Sequence, residues 1–252
     1  MKFLTCHGGR LHTDVLSQPV GPRNRAFPTG LEAMDELLPG GAFARGAVHE
    51  LLALPNHPPP LFVALLIARA ALFPLPRPLP PLDCARDRQG EGRSIVWCDL
   101  LGTLYPPSIA AMGVPMDRLF LLHPKNLADE SWAVAECLRC KGVGATIASP
   151  RRLSRIEARR LQLAAERGGG VGILLRPFDR HAGIYAASTR WLVSPHPGER
   201  TVQKWKVQLI HGHGGRVGQT IILEHSRETH LVRAIPELAD RSVSTETARA
   251  SA

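Results

Sequence analysis

A cluster of arginines in the middle of the chain is the clearest set of side chains that could perform a chemical task. Arginine presents a planar fork of hydrogen-bond donors that pairs with phosphate and carboxylate groups. The cluster could therefore bind nucleic acid, through counterion release, or an acidic protein surface. A solvated helix face is the competing interpretation, because no aromatic side chains are interleaved with the charges. The candidate partner or DNA contacts are Arg151, Arg152, Arg155, Arg159 and Arg160.

The helix that carries this cluster is predicted to be amphipathic. Ser154 is followed three residues later by Glu157, a capping box that begins a helix. Arg155, Arg159 and Gln162 have the i, i+4, i+7 spacing that places side chains on one exposed stripe. Small and apolar residues of another face are expected to be buried, namely Ala158, Leu161 and Ala165.

Two cysteine and histidine pairs could bind a metal. Cys137 and Cys140 lie in a predicted helix, and His211 and His213 lie in a glycine-rich turn, so together they offer four zinc ligands. However, a C-x-x-C pair within a helix is not a zinc knuckle, and the chain has no second such pair. We therefore expect no metal and no cofactor. The five cysteines are odd in number and scattered, which argues against a disulfide framework.

Single residues with catalytic potential have no supporting sequence context. His49 could act as a base beside Glu50, but no neighbour in the sequence orients it, and we expect a histidine at the surface. Ser149 and Ser194 lack the glycine-flanked turn of a nucleophile elbow. No catalytic or cofactor-binding residue is therefore assigned.

Strands that alternate with helices must position these side chains. Apolar runs predict strands at 48–54, 94–100, 119–122, 144–149 and 171–175, and helices at 61–73, 107–112, 127–141 and 154–167. Strands predicted at 190–193, 205–210 and 219–224 follow without intervening helices. The pattern predicts an α/β fold, a mainly parallel twisted sheet with flanking helices and an antiparallel C-terminal extension.

Length and composition predict one large domain. A chain of 252 residues with 44% hydrophobic content can bury one sizeable core. We expect an N-terminal arm at 1–25, a domain at 26–236 with a proline-rich loop at 74–93, and a disordered tail at 237–252. The absence of a long apolar run excludes a predicted membrane span or secretion signal, which favours the cytoplasm.

The charge of the chain favours an acidic partner. Its formal net charge is +9, and only five of its 31 basic residues are lysines. Codon usage in a GC-rich genome accounts equally well for the preference for arginine, but it does not account for the net charge. Nucleic acid and an acidic protein surface are the two candidates.

The segment from Pro28 into the first predicted strand resembles the N-terminal part of a RecA-family core. In that family, a Thr-Gly pair, a Leu-Leu-Gly-Gly run and an Arg-Gly pair precede a glutamate. The matching residues are Pro28, Thr29, Gly30, Leu31, Asp35, Leu37, Leu38, Gly40, Gly41, Arg45, Gly46, Val48, Glu50 and Leu51.

A RecA-type ATPase next requires the pattern G-x-x-x-x-G-K-[ST], whose backbone N–H groups and lysine hold the phosphates. At that position residues Leu54 to Pro60 contain no Gly, Lys, Ser or Thr, and their prolines remove backbone donors. The water-activating Glu expected two residues after Asp99 is Leu101, and the strand ending at Ala148 continues into Ser149 rather than a magnesium-associated Asp. We therefore expect a protein that is not an enzyme.

A later segment resembles the ImuA-type proteins, which are RecA-like and related to the SulA cell-division inhibitor. The pattern R-L-x-L-A-A-E-x-G-G-G-x-G-x-L-L-R-P occupies residues 160–177, and the resemblance covers roughly residues 27–225. It implies a non-catalytic accessory role in SOS-induced translesion DNA synthesis. The implied partners are an ImuB-like Y-family polymerase homologue and an error-prone replicative-type polymerase, with RecA and DNA as further candidates. The alternatives are a SulA-like division inhibitor and, in another class, an active RecA-like DNA-dependent ATPase.

Overall fold

The structure of the chain is a computed structural model. It describes residues 26–72, 93–102, 104–179, 186–229 and 231–236, and the backbone of the three short strands before residue 12. The tail predicted at 237–252 and nearly all of the loop predicted at 74–93 lie outside these residues. The last residue of that predicted loop, Arg93, is described; it lies outside any helix or strand and is buried.

Fourteen strands and five α-helices make up the described part of the chain. The strands are β1 Lys2–Leu4, β2 Cys6–His7, β3 Arg10–Leu11, β4 Ala26–Phe27, β5 Phe43–Ala44, β6 Ala47–Ala53, β7 Ser94–Cys98, β8 Leu119–Leu122, β9 Val143–Ala148, β10 Val171–Pro177, β11 Thr189–His196, β12 Val202–Gly212, β13 Thr220–Ser226 and β14 Val232–Pro236. The helices are α1 Glu32–Asp35, α2 Leu61–Leu72, α3 Pro106–Ala111, α4 Leu127–Arg139 and α5 Arg155–Gly168, with short 3₁₀ turns at Pro39–Gly41 and Met116–Arg118.

Ten of these strands form one sheet, in the order β1-β8-β7-β9-β10-β6-β11-β12-β13-β14. Every neighbouring pair from β1 to β11 is parallel. The pairs from β11 to β14 are antiparallel. This arrangement confirms the predicted α/β fold with a RecA-like core and an antiparallel extension. Strand β11 belongs to both parts, since it pairs in parallel with β6 and antiparallel with β12.

The central parallel strands are buried on both faces, which is why they are almost continuously apolar. Helix α2 packs on one face, and ten of its residues, from Val63 to Leu72, are buried. Helices α4 and α5 cover the other face and form a second apolar cluster with residues of β6, β7, β8, β9 and β10. Among the described helices, none is long and apolar enough to cross a bilayer.

The residues of the RecA-like N-terminal motif hold the start of the domain together. The Asp35 carboxylate accepts hydrogen bonds from the Thr29 amide (2.8 Å), the Thr29 hydroxyl (2.7 Å) and the Gly30 amide (3.1 Å). Arg45 donates to the Ala71 carbonyl (2.8 Å) and lies over the Phe27 ring. These contacts explain the spacing of the motif, which closes one loop and joins it to α2.

Close packing of α4 against α5 fixes the helix that carries the predicted arginine cluster. The predicted capping box is present, because Ser154 and Glu157 satisfy each other's backbone amides at the start of α5. A Cβ on Gly168 would lie 1.9 Å from the Leu138 carbonyl oxygen of α4, so only glycine permits this approach. Helix α5 ends at Gly169, which has the left-handed conformation with φ of 74°.

Candidate functional site

The connection from β6 to α2, Leu54–Pro60, lies where an ATPase of this fold would hold phosphate. Four of its residues are prolines, which have no backbone N–H. The His57 amide donates to the Leu54 carbonyl (3.1 Å), and the Leu61 amide at the start of α2 donates to the Pro59 carbonyl (2.8 Å). These amides are used within the connection itself, so they are not free to bind a phosphate.

Asp99, at the end of β7, organises the loop that follows the strand. Its carboxylate accepts a hydrogen bond from the Leu104 amide (2.9 Å), and its carbonyl accepts one from His123 Nδ1 (2.9 Å). Leu101 is 64% exposed, and Ser149 is exposed just beyond β9. The side chains present at these positions therefore hold a loop or face solvent.

Three of the five candidate arginines lie together on α5. Arg155, Arg159 and Arg160 are exposed and line one shallow groove on the outer face of the helix. Arg151 is exposed in the turn before α5, whereas Arg152 lines a separate cavity. The structure thus divides the predicted cluster into a helical part and a part at the preceding turn.

This α5 groove combines positive charge with exposed apolar side chains. Its volume is about 480 Å³. Ile156 is 83% exposed and Leu163 is 37% exposed, and both lie between the arginines. Arg139 from the end of α4 and Arg167 from the last turn of α5 add charge. The groove is lined by Arg139, Arg155, Ile156, Arg159, Arg160, Leu163, Ala164 and Arg167.

Ion pairs compensate little of the charge around the α5 groove. Arg139 pairs with Glu136, three residues earlier on α4. Within the described ranges, Arg155 and Arg159 have no acidic side chain at ion-pair distance. Arg139 and Glu136 are both partly exposed, and a pair near the surface contributes about 1 kcal/mol, so an incoming carboxylate can replace Glu136 at little cost.

Gln162 does not belong to the exposed stripe on which the helical spacing placed it. Its side chain is buried, and Oε1 accepts a hydrogen bond from the Val48 amide (3.0 Å) at the start of β6. Its Nε2 donates to Glu166 (3.1 Å). The prediction is wrong because position i+7 turns toward the sheet, where Gln162 satisfies a buried backbone donor. The residues predicted to face inward are buried: Ala158, Leu161 and Ala165.

A buried ion cluster joins three neighbouring strands of the parallel sheet. Glu50 of β6 is 1% exposed, and its Oε1 accepts from Arg176 Nη1 of β10 at 3.0 Å. Its Oε2 accepts from Arg190 Nε of β11 at 2.7 Å. A buried carboxylate needs such partners, because an unpaired charge in this environment is strongly unfavourable. The motif glutamate therefore binds the middle of the sheet together.

His49 is fully buried, so its assignment as a surface histidine is wrong. Its Nε2 lies 3.0 Å from the Ala44 carbonyl, and its Nδ1 lies 2.8 Å from the Thr189 hydroxyl. Because a carbonyl only accepts, Nε2 carries the proton and Thr189 donates to Nδ1. Thr189 also accepts from Trp191 Nε1 (2.9 Å). Burial lowers the pKa of His49 to about 4, so this network requires the neutral ring.

The cysteine and histidine pairs lie in different parts of the fold. Cys137 is buried in α4 and Cys140 follows its last residue. His211 is near the end of β12, where its ring contacts that of His213 edge to face. In the described part of the chain, no group of three or more His, Cys, Asp or Glu side chains is placed to hold a metal ion.

Sequence reasoning missed several residues of the α5 groove. Ile156 and Leu163 are seven residues apart, as are Arg160 and Arg167. This spacing indicates a helix face that carries both apolar and basic side chains. Arg139 gave no such signal, because it comes from another helix that is brought alongside only by folding.

The fold and these sites define an α/β protein with a RecA-like core whose β6–α2 connection is rich in proline. The chain is similar to Protein ImuA of Caulobacter vibrioides (strain NA1000 / CB15N), with 27% identity over 237 residues, 85% of this chain and 90% of that protein. Protein ImuA of strain ATCC 19089 / CIP 103742 / CB 15 matches to the same extent. No protein-family model matches the chain. The comparison confirms the resemblance to ImuA-type proteins and supports, at a general level, a part in DNA-damage-induced mutagenesis.

Proposed function

We propose that this chain is a non-catalytic, RecA-like accessory protein of SOS-induced translesion DNA synthesis. In this role it scaffolds an error-prone polymerase complex, with an ImuB-like protein as its direct partner. The similarity to Protein ImuA supports the biological setting. The observation that carries a binding role is the α5 groove, in which exposed arginines surround exposed apolar side chains.

The β6–α2 connection supports a role without ATP hydrolysis. Phosphoryl transfer depends on positioning the phosphates by backbone amides, a lysine and a magnesium ligand. The segment Leu54–Pro60 supplies none of these side chains, and two of the amides at this position are hydrogen-bonded to nearby carbonyls. A scaffolding role requires the folded core but not ATP hydrolysis.

The composition of the α5 groove favours a protein partner over DNA. Phosphate contacts require only the cations, and single-stranded nucleic acid additionally stacks on aromatic rings. The groove instead exposes Ile156 and Leu163, aliphatic side chains that become buried against apolar groups of a protein. An acidic segment with apolar residues at helical spacing would satisfy both the arginines and these two side chains.

The proposed mechanism is tethering. A protein that binds one component of a polymerase complex through the α5 groove, and another through a second surface, raises their local concentration at a lesion. No covalent step is required of the chain, which agrees with the use of Asp99 in holding a loop.

Co-purification of an ImuB-like protein tests the proposed partner surface. The double variant Arg155→Glu and Arg159→Glu should abolish capture, because it places acidic groups opposite an acidic ligand. The matched control is Arg200→Glu with Arg227→Glu, which changes the net charge equally at exposed positions near the β12–β13 side of the sheet. Capture that survives the α5 variant, or that is lost equally in both variants, would overturn the groove as the contact.

Calorimetry with ATP and magnesium tests the non-catalytic assignment. We expect no saturable heat of binding at micromolar ATP, because the β6–α2 connection lacks a phosphate cradle. Micromolar affinity, or ATP turnover stimulated by single-stranded DNA, would instead favour an active RecA-like ATPase. A useful control is the variant Pro58→Gly, Pro59→Gly, which restores two backbone donors without supplying the lysine.

A further inference from the structure

A second cavity lies between the N-terminal halves of α4 and α5. Its volume is about 240 Å³. It is lined by Ala148 at the end of β9, and the ends of parallel strands are where α/β folds commonly bind ligands. Cavities for drug-sized molecules usually exceed about 300 Å³, so this one suits a single extended chain with one polar head.

The walls of this α4–α5 cavity are largely aliphatic. Leu127 and Val134 contribute from α4, Leu161 contributes from the middle of α5, and Leu153 lies just before α5 begins. Leu127 is 52% exposed at the rim, whereas the other three are buried. An alkyl chain of a ligand would therefore be enclosed by apolar side chains along its length.

A buried carboxylate also lines the cavity. Glu130 of α4 is only 3% exposed, and among the described residues its Oε1 has no hydrogen-bond partner. Burial raises the pKa of Glu130. Leaving a buried acceptor unsatisfied costs roughly 1–3 kcal/mol, more for a charged group, so native proteins seldom do it without a reason.

We propose that the α4–α5 cavity binds an alkylguanidinium or alkylammonium group, with its cationic head on Glu130 and its chain against the aliphatic walls. The head supplies the opposite charge and the hydrogen bond that the Glu130 carboxylate lacks among the described residues. The binding group is either a free small cation or an arginine or lysine side chain of a partner protein, since both present the same chemistry.

Two charged residues at the cavity set the expected selectivity. Glu157 of α5 lines it, and hydrogen bonds from Ser154 lower the pKa of Glu157, which keeps this second carboxylate ionised. Arg152 also lines it but is exposed, so it can swing outward when a cation enters. As a like charge, Arg152 should weaken binding. Removing the Arg152 side chain should therefore strengthen the binding of a cation, whereas the same change would weaken the binding of an acidic ligand.

Titration of the full chain with n-butylguanidinium, followed by amide chemical shifts, tests the cavity. We expect shifts centred on the first turns of α4 and α5. The neutral analogue n-butylurea should bind with an affinity lower by about tenfold or more. The variant Glu130→Gln should lose about tenfold in affinity or more, and Arg152→Ala should bind more tightly. Equal binding of the urea, or unchanged affinity in Glu130→Gln, would overturn the proposal.

A second variant guards against a folding artefact at the buried glutamate. Ala128 is exposed and lines the cavity, so Ala128→Phe should obstruct it without disturbing the core. We expect this variant to lose the titration shifts, and normal binding by it would contradict the assigned site. A short capped peptide, with one central arginine and no other charged group, separates the two sources. Binding at least tenfold tighter than that of n-butylguanidinium assigns a partner's side chain, and equal binding assigns a free cation.

This inference does not depend on the α5 groove or on the proposed accessory function. Loss of ImuB-like protein capture on reversing Arg155 and Arg159 concerns the groove alone, and the titration concerns Glu130 alone. Failure of either experiment therefore leaves the other proposal standing.

Discussion

Two sets of arginines in this chain have opposite surroundings. Arg176 and Arg190 lie in the sheet with side chains 11% and 8% exposed, and each is paired with Glu50. Arg155 and Arg159 on α5 are exposed, and no acidic partner is within ion-pair distance in the described part of the chain. The same side chain thus serves the fold in one region and is available to a ligand in the other.

In a basic protein, exposed arginines without an acidic partner can bind a ligand, whereas buried and paired arginines cannot. A buried charge is stabilised by its ion-pair partners. Removing one partner leaves the other charge desolvated and unpaired, which destabilises the fold. An exposed, unpaired charge costs the fold little, so a helix can present several of them. Net charge alone, +9 for this chain, does not distinguish the two sets. Three measurements of stability test whether the buried and the exposed charges differ in this way.

The largest effect is expected from Glu50→Ala. This change leaves Arg176 and Arg190 buried without their common carboxylate, which should lower the free energy of unfolding by about 3–5 kcal/mol. Urea denaturation measures this change. The control is Glu224→Ala, which removes the partner of Lys204 from a half-exposed pair and should cost less than about 1 kcal/mol. Equal losses in the two variants would show that the buried Glu50 cluster stabilises the fold no more than a pair near the surface does.

A somewhat smaller effect is expected from acid, through His49. Its folded pKa of about 4 lies below the ordinary value of 6.5, so the neutral ring stabilises the fold above pH 6.5. This contribution should be lost progressively as the pH falls from 6.5 to 4, by about 3 kcal/mol in total.

Unfolding free energies measured at pH 7, 5.5 and 4 test the role of His49. In the variant His49→Gln, the unfolding free energy should fall less between pH 7 and pH 4 than in the parent chain, whatever its value at pH 7. The control His57→Gln, at an exposed position in the β6–α2 connection, should keep the full pH dependence of the parent chain. If His57→Gln flattens the curve and His49→Gln does not, the assignment is wrong.

The smallest effect on stability is expected from the arginines of the α5 groove. Arg155→Glu with Arg159→Glu should change the free energy of unfolding by no more than about 0.5 kcal/mol, because both side chains are exposed. Thermal unfolding of the variant and the parent chain measures the difference. A loss of stability as large as that of Glu50→Ala would mean that these arginines stabilise the fold. Loss of partner capture in this variant could then result from unfolding and would not identify a binding contact.

Much of the architecture could be predicted because it depends on local patterns. The strand at 119–122 and the helix beginning after Ser154 were predicted at their observed positions, since a short apolar run and a capping box are both local signals. The short strand Val232–Pro236 was missed, because its pairing with β13 is not marked by a strong apolar run. Of the candidate site, Arg155, Arg159 and Arg160 were predicted to be together and they are.

The amino-acid sequence alone specifies the alternation of strands and helices, the motif residues around Thr29 and Asp35, and the four prolines in Leu54–Pro60. The contact of Glu50 with Arg176 and Arg190, which follow it by 126 and 140 residues, forms only when the chain is folded. The physical reason is that helix and strand patterns arise between near neighbours in the chain. A buried charge finds its partners only when distant strands are packed side by side.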